Sequence, residues 1–339
     1  MSIIEGSKEA DILIGDKYYF NLINGHGGDD HLFAGKLGDA LLGVSGSDEL
    51  VGGQGNDFLH GGTSDDVMRG TEGNDVIVGG EGNDVGSGGK GVDYLTGGKG
   101  DDHLLGNSGD DVIAGHTGND HLEGNSGDDI LDGGAGDDVV SGGSGADVVI
   151  ASTGNDIVSG GSGFDTIDFH VIWGKVDVDL SKHTASFGHG ANANVQTISG
   201  FEQIVGNDFG NHFMGDHGNN TFIGGAGDDW FRGNGGLDNF TGGDGKDTFV
   251  WLKKDVLDGA TDKVSDFHLG EDKLDLSDFL KGHKDPNEVL KIVGDSDGTV
   301  IMGNVQGHWV DVVALDNINP HSVGADHHQL TLHELGILA

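Results

Sequence analysis

Apolar side chains recur every nine residues along half of the chain. Leu32, Leu41, Leu50, Leu59, Met68, Ile77, Leu95, Leu104, Ile113, Leu122, Leu131, Val140, Val149, Val158 and Ile167 share one phase, and Gly86 is its one break. A period of nine fits neither an amphipathic helix nor a long alternating strand. A fixed short period is the mark of a solenoid, in which each repeat buries its apolar residue against its neighbours. Counted as sixteen nonads from Gly25 to Asp168, position one is Gly in fourteen, with Ala34 and Ala151 as exceptions. Position four is Gly in fourteen, with Leu37 and Ser64 as exceptions, and position five is Asn or Asp in eleven. Gly, Asn and Asp accept left-handed backbone angles. Positions one to six therefore predict a tight turn, and positions seven to nine a very short strand with position eight pointing inward.

Outside this block the pattern changes. A weaker nonad, Gly6 to Ile14, precedes it. Gly15 to Asn24 is out of register and carries Tyr18, Tyr19 and Phe20, which read as an aromatic cap on the open end of a stack. Residues 169–205 interrupt the repeat, and the alternation Val176-Asp177-Val178-Asp179-Leu180 predicts strands there. Five further nonads, Gly206 to Val250, put Phe213, Phe222, Phe231, Phe240 and Phe249 at position eight, an aromatic ladder. Residues 251–339 do not repeat. Strands are expected at Lys263–Phe267 and Lys273–Leu276 around a Gly270 turn, and Ser277 is expected to cap a short helix ending before Gly282. A helix start at Asp285-Pro286, a hairpin at Asp297-Gly298 and a strand at Trp309–Leu315 follow. Thr331–Ala339 is Leu-rich and fits strand or helix. The expected organisation is an N-terminal cap 1–24, a first roll 25–168, a β interruption 169–205, a second roll 206–250 and a mostly-β C-terminal cap 251–339, in an all-β chain.

The chemistry enters at position six. Asp30, Asp39, Asp48, Asp57, Asp66, Asp75, Asp84, Asp93, Asp102, Asp111, Asp120, Asp129, Asp138, Asp147, Asp156 and Asp165 fill it without exception. In the second block it holds Asn211 and Asn220, then Asp229, Asp238 and Asp247, so the first two of those turns should bind metal weakly. Two nonads make one coil of eighteen residues, with strands ~4.8 Å apart in the stack. Carboxylates facing each other at that distance repel by roughly 3 kcal/mol at an effective dielectric of 20. Calcium takes six to eight oxygens at about 2.3–2.6 Å, and twice that length matches the coil spacing. Magnesium wants a shorter, rigid octahedron and zinc wants His or Cys. Filling every gap of the first block would take on the order of fourteen ions. Each nonad buries about one aliphatic side chain, worth ~1.5–3 kcal/mol, against roughly 1 kcal/mol or more for ordering each of nine residues. The metal-free block is therefore expected to be largely unfolded, with binding and folding one event.

Charge and composition agree. Asp plus Glu number 58 against 17 Lys plus Arg, a formal net charge of -41, so nucleic acid and anionic membrane surfaces are repelled and cations are the natural partners. The chain has no Cys, hence no disulfides and no thiolate chemistry. Met1–Ile14 lacks the apolar core of a Sec leader, and no apolar run approaches the ~20 residues that span a bilayer.

The nonads resemble the RTX repeat, Gly-Gly-x-Gly-x-Asp-x-(apolar)-x. That resemblance implies a right-handed parallel β-roll in which the sixteen aspartates above, with Asp229, Asp238 and Asp247, ligate Ca²⁺ together with turn carbonyls. Gly86 and the turns at Leu37 and Ser64 depart from the pattern and put their local sites in question. Asp247-Thr248-Phe249-Val250-Trp251, Asp262–Phe267 and Gly270–Ser277 look like the sequence that follows the last repeats of type I secreted proteins. The tail from Trp309 to Ala339 is similar to the C-termini of giant RTX adhesins of Gram-negative bacteria. The resemblance thus implies a non-enzymatic, calcium-folded secretion and structural module. It would be a monomeric part of a larger chain, a partner of the type I secretion machinery, extended in low-calcium cytosol and folded outside at the cell surface. The rival reading is the accessory C-terminal module of a secreted protease, lipase or alginate epimerase that helps bind polymeric substrate. An ice-binding solenoid would need a regular Thr/Asx face, and Thr-Gly-Asn-Asp occurs only at Thr117–Asp120 and Thr153–Asp156.

Other motifs are weaker. Gly86–Gly91 spells a dinucleotide fingerprint with no helix to follow. No Gly-x-Ser-x-Gly elbow occurs, and His333-Glu334 lacks the second His of a zinc protease. Asp295-Ser296-Asp297-Gly298 starts like a calcium loop but reads better as a hairpin turn. His327, His328 and His333 read as solvated, and Trp230, Trp251 and Trp309 as core or cap residues.

Overall fold

The structure is a computed structural model that describes residues 1–188, 193–295, 298–319 and 331–337. The chain divides into two compact units, Met1–Asp168 with Asn194–Phe201, and Phe169–Ala193 with Glu202–Ala339.

In the first unit successive strands alternate between two parallel stacks. Ala40–Ser45, Phe58–Thr63, Val76–Glu81, Tyr94–Lys99 and Val112–Thr117 follow one another in the first stack. Glu49–Gln54, Val67–Glu72, Val85–Lys90, His103–Ser108 and His121–Ser126 do so in the second. Pairing runs at eighteen residues, as in Val67↔Val85↔His103, so two nonads make one coil and the fold is a parallel β-roll. Position eight fills the space between the stacks, and every residue of that column from Leu32 to Ile167 other than Gly86 is at most 3% exposed. Gly86 does not break the roll. Val85–Lys90 pairs on both sides, and a Cβ at Gly86 would lie 2.8 Å from the Leu104 side chain, so the neighbours have filled the vacancy.

The turn is shorter than the sequence suggests. Most strands are six residues long and run from position seven through position three of the next nonad. Left-handed angles fall at positions two and four, as at Gly53 (φ +104°) and Gly55 (φ +99°), and Ser64 adopts the same geometry (φ +86°). Position five is not left-handed. Its Asn or Asp instead accepts from the backbone N–H eighteen residues on, as Asn56 Oδ1 does from Asn74 (2.9 Å) and Asp101 Oδ1 from Asn119 (2.7 Å).

The start of the chain joins the stacks too. Ser2–Glu5 pairs with Asn21–Asn24 and Ile12–Ile14 with His31–Phe33, at nineteen residues rather than eighteen. The turn after Ile14 absorbs one extra residue, and Asn21–Asn24 is back in register with the strand that follows it. Tyr18, Tyr19 and Phe20 do not cap the stack, being 68%, 58% and 42% exposed. At the other end Asn194–Ser199 pairs with Ile157–Ser162, with Ile198 opposite Val158.

In the second unit the alternation at 176–180 does form a hairpin, Val176–Asp179 with Thr184–Phe187, around a 3₁₀ turn. His212–Met214, Trp230–Arg232 and Thr248–Val250 stack in parallel, as do Gln203–Val205, Thr221–Ala226 and Asn239–Asp244. The five phenylalanines are buried between the stacks, with Phe231 and Phe249 5.1 Å apart and 11° from parallel. Stacking continues past Val250, where the count of nine ends. Asp262–Val264 joins one stack and Lys273–Asp275 the other, so these two strands do not form a hairpin with each other.

Ser277 begins the short helix Ser277–Leu280 rather than capping it. Asp285 caps the turn Pro286–Glu288 by accepting from Asn287 N–H. Leu290–Asp295, Gly298–Val305 and His308–Leu315 form an antiparallel meander. The hairpin expected at Asp297-Gly298 is present in that pairing, while Ser296, Asp297, His327, His328 and the end of the Leu-rich tail lie outside the described residues. No described helix is long and apolar enough to cross a membrane.

Candidate metal centre

The turn at the end of each strand carries its aspartate into the edge of the roll, where it is no more than 3% exposed. Each such side chain uses its two oxygens differently. Oδ1 accepts from the backbone N–H of the aspartate one coil earlier: Asp84 donates to Asp102 (2.7 Å), Asp102 to Asp120 (2.8 Å) and Asp120 to Asp138 (2.8 Å). Among the described residues, Oδ2 has no hydrogen-bond partner in Asp30 or in any ladder aspartate from Asp48 to Asp147, and the same holds for Asp229, Asp238 and Asp247. A row of buried carboxylate oxygens without donors is costly unless something positive sits beside them.

Position one shows where that space lies. A Cβ on Gly52 would come within 2.5 Å of Asp57 Oδ2 and 2.9 Å of the Gly70 carbonyl oxygen, and one on Gly106 would meet Asp111 Oδ2 and the Gly124 carbonyl alike. Glycine is needed here for room, since these two glycines do not have positive φ. Carboxylate and carbonyl oxygens therefore converge, with no nitrogen or sulfur among them, which is the donor set of a hard divalent cation. Burial is the main force lifting these carboxyls, and facing aspartates push further. The hydrogen bond to Oδ1 only partly offsets both. Asp57, Asp66, Asp102, Asp111 and Asp138 are pushed up to about 7, and Asp229 and Asp238 to about 8.

The ladders close at irregular points with donors of their own. Asp39 Oδ2 accepts from Gly35 N–H (2.7 Å), in the turn that contains Leu37. Asp156 Oδ2 accepts from the Gln196 amide (2.6 Å), and Gln196 holds the ladder position in the next strand of that stack. Asn211 donates to the Asn207 and Gly224 carbonyls (3.2 and 3.3 Å), so an amide nitrogen takes the place of the unpartnered Oδ2 found in other turns. Asn220 Oδ1 accepts from Asp216 N–H (3.1 Å). By contrast the Ser64 turn is regular and leaves Asp66 like its neighbours.

Sequence reasoning missed three aspartates of the ladder. Asp11 begins the ladder: it donates its N–H to Asp30 Oδ1 (2.8 Å), as later aspartates do to the next of their stack, and its Oδ2 accepts from Ser7 N–H (2.6 Å). Asp262 accepts from Asp238 N–H (2.9 Å) and from the Trp251 indole (2.7 Å). Asp272 accepts from Asp247 N–H (3.0 Å) and from His268 N–H (2.7 Å). The signal was an Asp two residues before an apolar residue at Val264 and Leu274, hidden because the spacing had grown to 24 and 25. The dinucleotide-like Gly86–Gly91 lies in a strand and the turn after it, with no helix. Trp251 is a core residue, as expected, while Trp309 is part exposed beneath Lys291.

A search among curated proteins finds no match. Among solved structures, the AlgE6R3 subunit of the Azotobacter vinelandii mannuronan C5-epimerase is 24% identical, with 39% of this chain and 78% of that chain covered and a TM-score of 0.18. Extracellular lipase LipA from Serratia marcescens is 17% identical, with 71% of this chain and 40% of that chain covered and a TM-score of 0.18. At these values neither likeness carries an inference about this chain. The family model for the RTX calcium-binding nonapeptide repeat matches residues 5–41, six overlapping stretches that cover 42–167, and 214–249, more than half of the chain. Such repeats imply several bound Ca²⁺ ions, in keeping with the oxygen-only donor set of the turns. The chain belongs to the RTX calcium-binding nonapeptide repeat family.

Proposed function

We propose that this chain is the calcium-dependent folding module and C-terminal secretion region of a large RTX adhesin. Chains with these repeats are characteristic type I secretion substrates, and the β-roll itself is a structural repeat, not a catalytic one. In this reading the sixteen first-block aspartates, with Asp229, Asp238 and Asp247, hold the ions through Oδ2 and the position-one carbonyls. Asp39 and Asp156 contribute less, because protein donors already meet their second oxygen. Bound calcium supplies the positive charge and the six to eight coordination positions that let facing carboxylates stand together.

The rest follows from the chain. Without a cation the ladders concentrate buried negative charge along both edges, and one apolar residue per nonad does not outweigh it. The chain then stays extended in a calcium-poor cytosol, fit to be threaded. Once outside it folds by mass action, which opposes backsliding. The row of partnerless Oδ2 atoms is the observation that carries this reading.

Far-UV circular dichroism of the purified chain tests it. The expected result is a disordered spectrum with chelator and a cooperative gain of β signal with millimolar calcium. Equal β content in both conditions overturns it. The adhesin assignment is tested by the mass of the native secreted product. A very large polypeptide is expected, and a product of ordinary enzyme size with a catalytic domain would move the module to a secreted enzyme.

A further inference from the structure

Three side chains converge on the outer face of the second stack, away from the oxygens of the aspartate ladders. His103 and His121 face each other in register on neighbouring strands. Their rings stack 4.7 Å apart, 13° from parallel. Glu123 follows two residues after His121, on the same face of its strand, and its Oε1 lies 3.3 Å from His121 Nε2. One ligand atom from each of the three lies within 4.8 Å of the others. His103 Nε2 is buried and has no hydrogen-bond partner among the described residues. The residues paired beside the two histidines are Val85 and Val139, so no neighbouring cation in that column competes for the site.

We propose that His103, His121 and Glu123 form a second kind of metal site, for a borderline transition-metal ion such as Zn²⁺. Two imidazoles and one carboxylate match zinc, with bonds of about 2.0–2.2 Å and a fourth position left to water. Calcium takes oxygen ligands and gains little from imidazole. A tetrahedral site needs donor atoms about 3.4 Å apart at such bond lengths; His121 Nε2 and Glu123 Oε1 already meet this, and His103 must close on them by up to about 1.4 Å. His121 and Glu123 are 48% and 34% exposed, which leaves them free to turn and the ion free to enter. The two histidines are eighteen residues apart in the chain and meet only when their coils stack. An ion held here would staple the two coils from outside, bind only the folded roll, and lower the calcium needed to fold it.

The test uses the full chain in millimolar calcium, titrated with Zn²⁺ in a calorimeter and with Co²⁺ in a spectrophotometer. H103Q and H121Q should each abolish one equivalent of zinc or weaken it at least tenfold, and remove the absorption of four-coordinate cobalt. H60Q, in the other stack, should keep both. Wild-type chain should fold at a lower calcium midpoint when zinc is present, and H121Q should lose that shift. E123Q is the milder variant, and it should weaken the same equivalent should a histidine variant fail to fold. Unchanged zinc stoichiometry and affinity in folded H103Q, H121Q and E123Q would overturn the proposal. Equal binding of that equivalent by the calcium-free, unfolded chain would overturn it too.

Discussion

The division of labour within one aspartate governs the residue scale. Oδ1 ties a coil to the one before it, and Oδ2, without a hydrogen-bond partner among the described residues from Asp48 to Asp147, is left for the proposed cation. D102N keeps the acceptor for Asp84 N–H and replaces the charged oxygen with an amide, much as Asn211 does naturally. It should cost about 1–3 kcal/mol in the calcium-loaded state and raise the calcium midpoint in a titration followed by circular dichroism. D39N should also raise that midpoint, but by loosening the fold, because both Asp39 oxygens accept backbone hydrogen bonds and an amide nitrogen cannot take the place of either. G52A should raise the midpoint although Gly52 has no left-handed backbone, since the methyl group would occupy the space between Asp57 Oδ2 and the Gly70 carbonyl. The phase of the aspartates was legible because nine-residue spacing is visible in the letters. The closures by Gly35, Gln196 and Trp251 were not. They depend on chain that loops back from 4, 40 and 11 residues away with no period to announce it.

At the scale of the element, the nonad was read correctly in its inward column and misread in its turn. Glycine and asparagine look alike to a propensity argument, yet position one is Gly for room, positions two and four for their backbone angles, and position five is Asn or Asp for its hydrogen bond to the next coil. The stacked element also predicts a pH dependence. In the metal-free roll, burial raises Asp57 and Asp102 to about 7 and Asp238 to about 8. These groups lie near ~3.9 in the unfolded chain. A raised folded pKa favours the roll below the unfolded pKa and loses that effect as pH rises through 7 to 8. The metal-free roll is therefore weakest in alkaline solution. With chelator present, lowering the pH from 8 to about 4 should therefore move the chain toward the roll, read as a gain of β signal by circular dichroism. A signal that does not change over that window would contradict the shift.

Across the whole molecule, a net charge of -41 on 339 residues is tolerable only with bound or screening cations. Screening alone does not reach buried oxygens. Sodium or magnesium at matched ionic strength should therefore leave the chain unfolded by circular dichroism at concentrations where calcium folds it. The all-β roll was legible from the repeat. The return of Asn194–Ser199 to the first unit was not, because Gln196 stands at the aspartate position and Ile198 is the lone apolar marker of its phase. The extension past Val250 was hidden by longer turns that leave the inward Val264 and Leu274 out of count. A crystal structure of the calcium-loaded chain tests the central claim most directly. It should show strong density about 2.3–2.6 Å from the Oδ2 atoms of Asp48 to Asp147, and none beside the Asn211 amide. Water at ordinary hydrogen-bond distance in those turns, in a chain that is folded, would contradict the account.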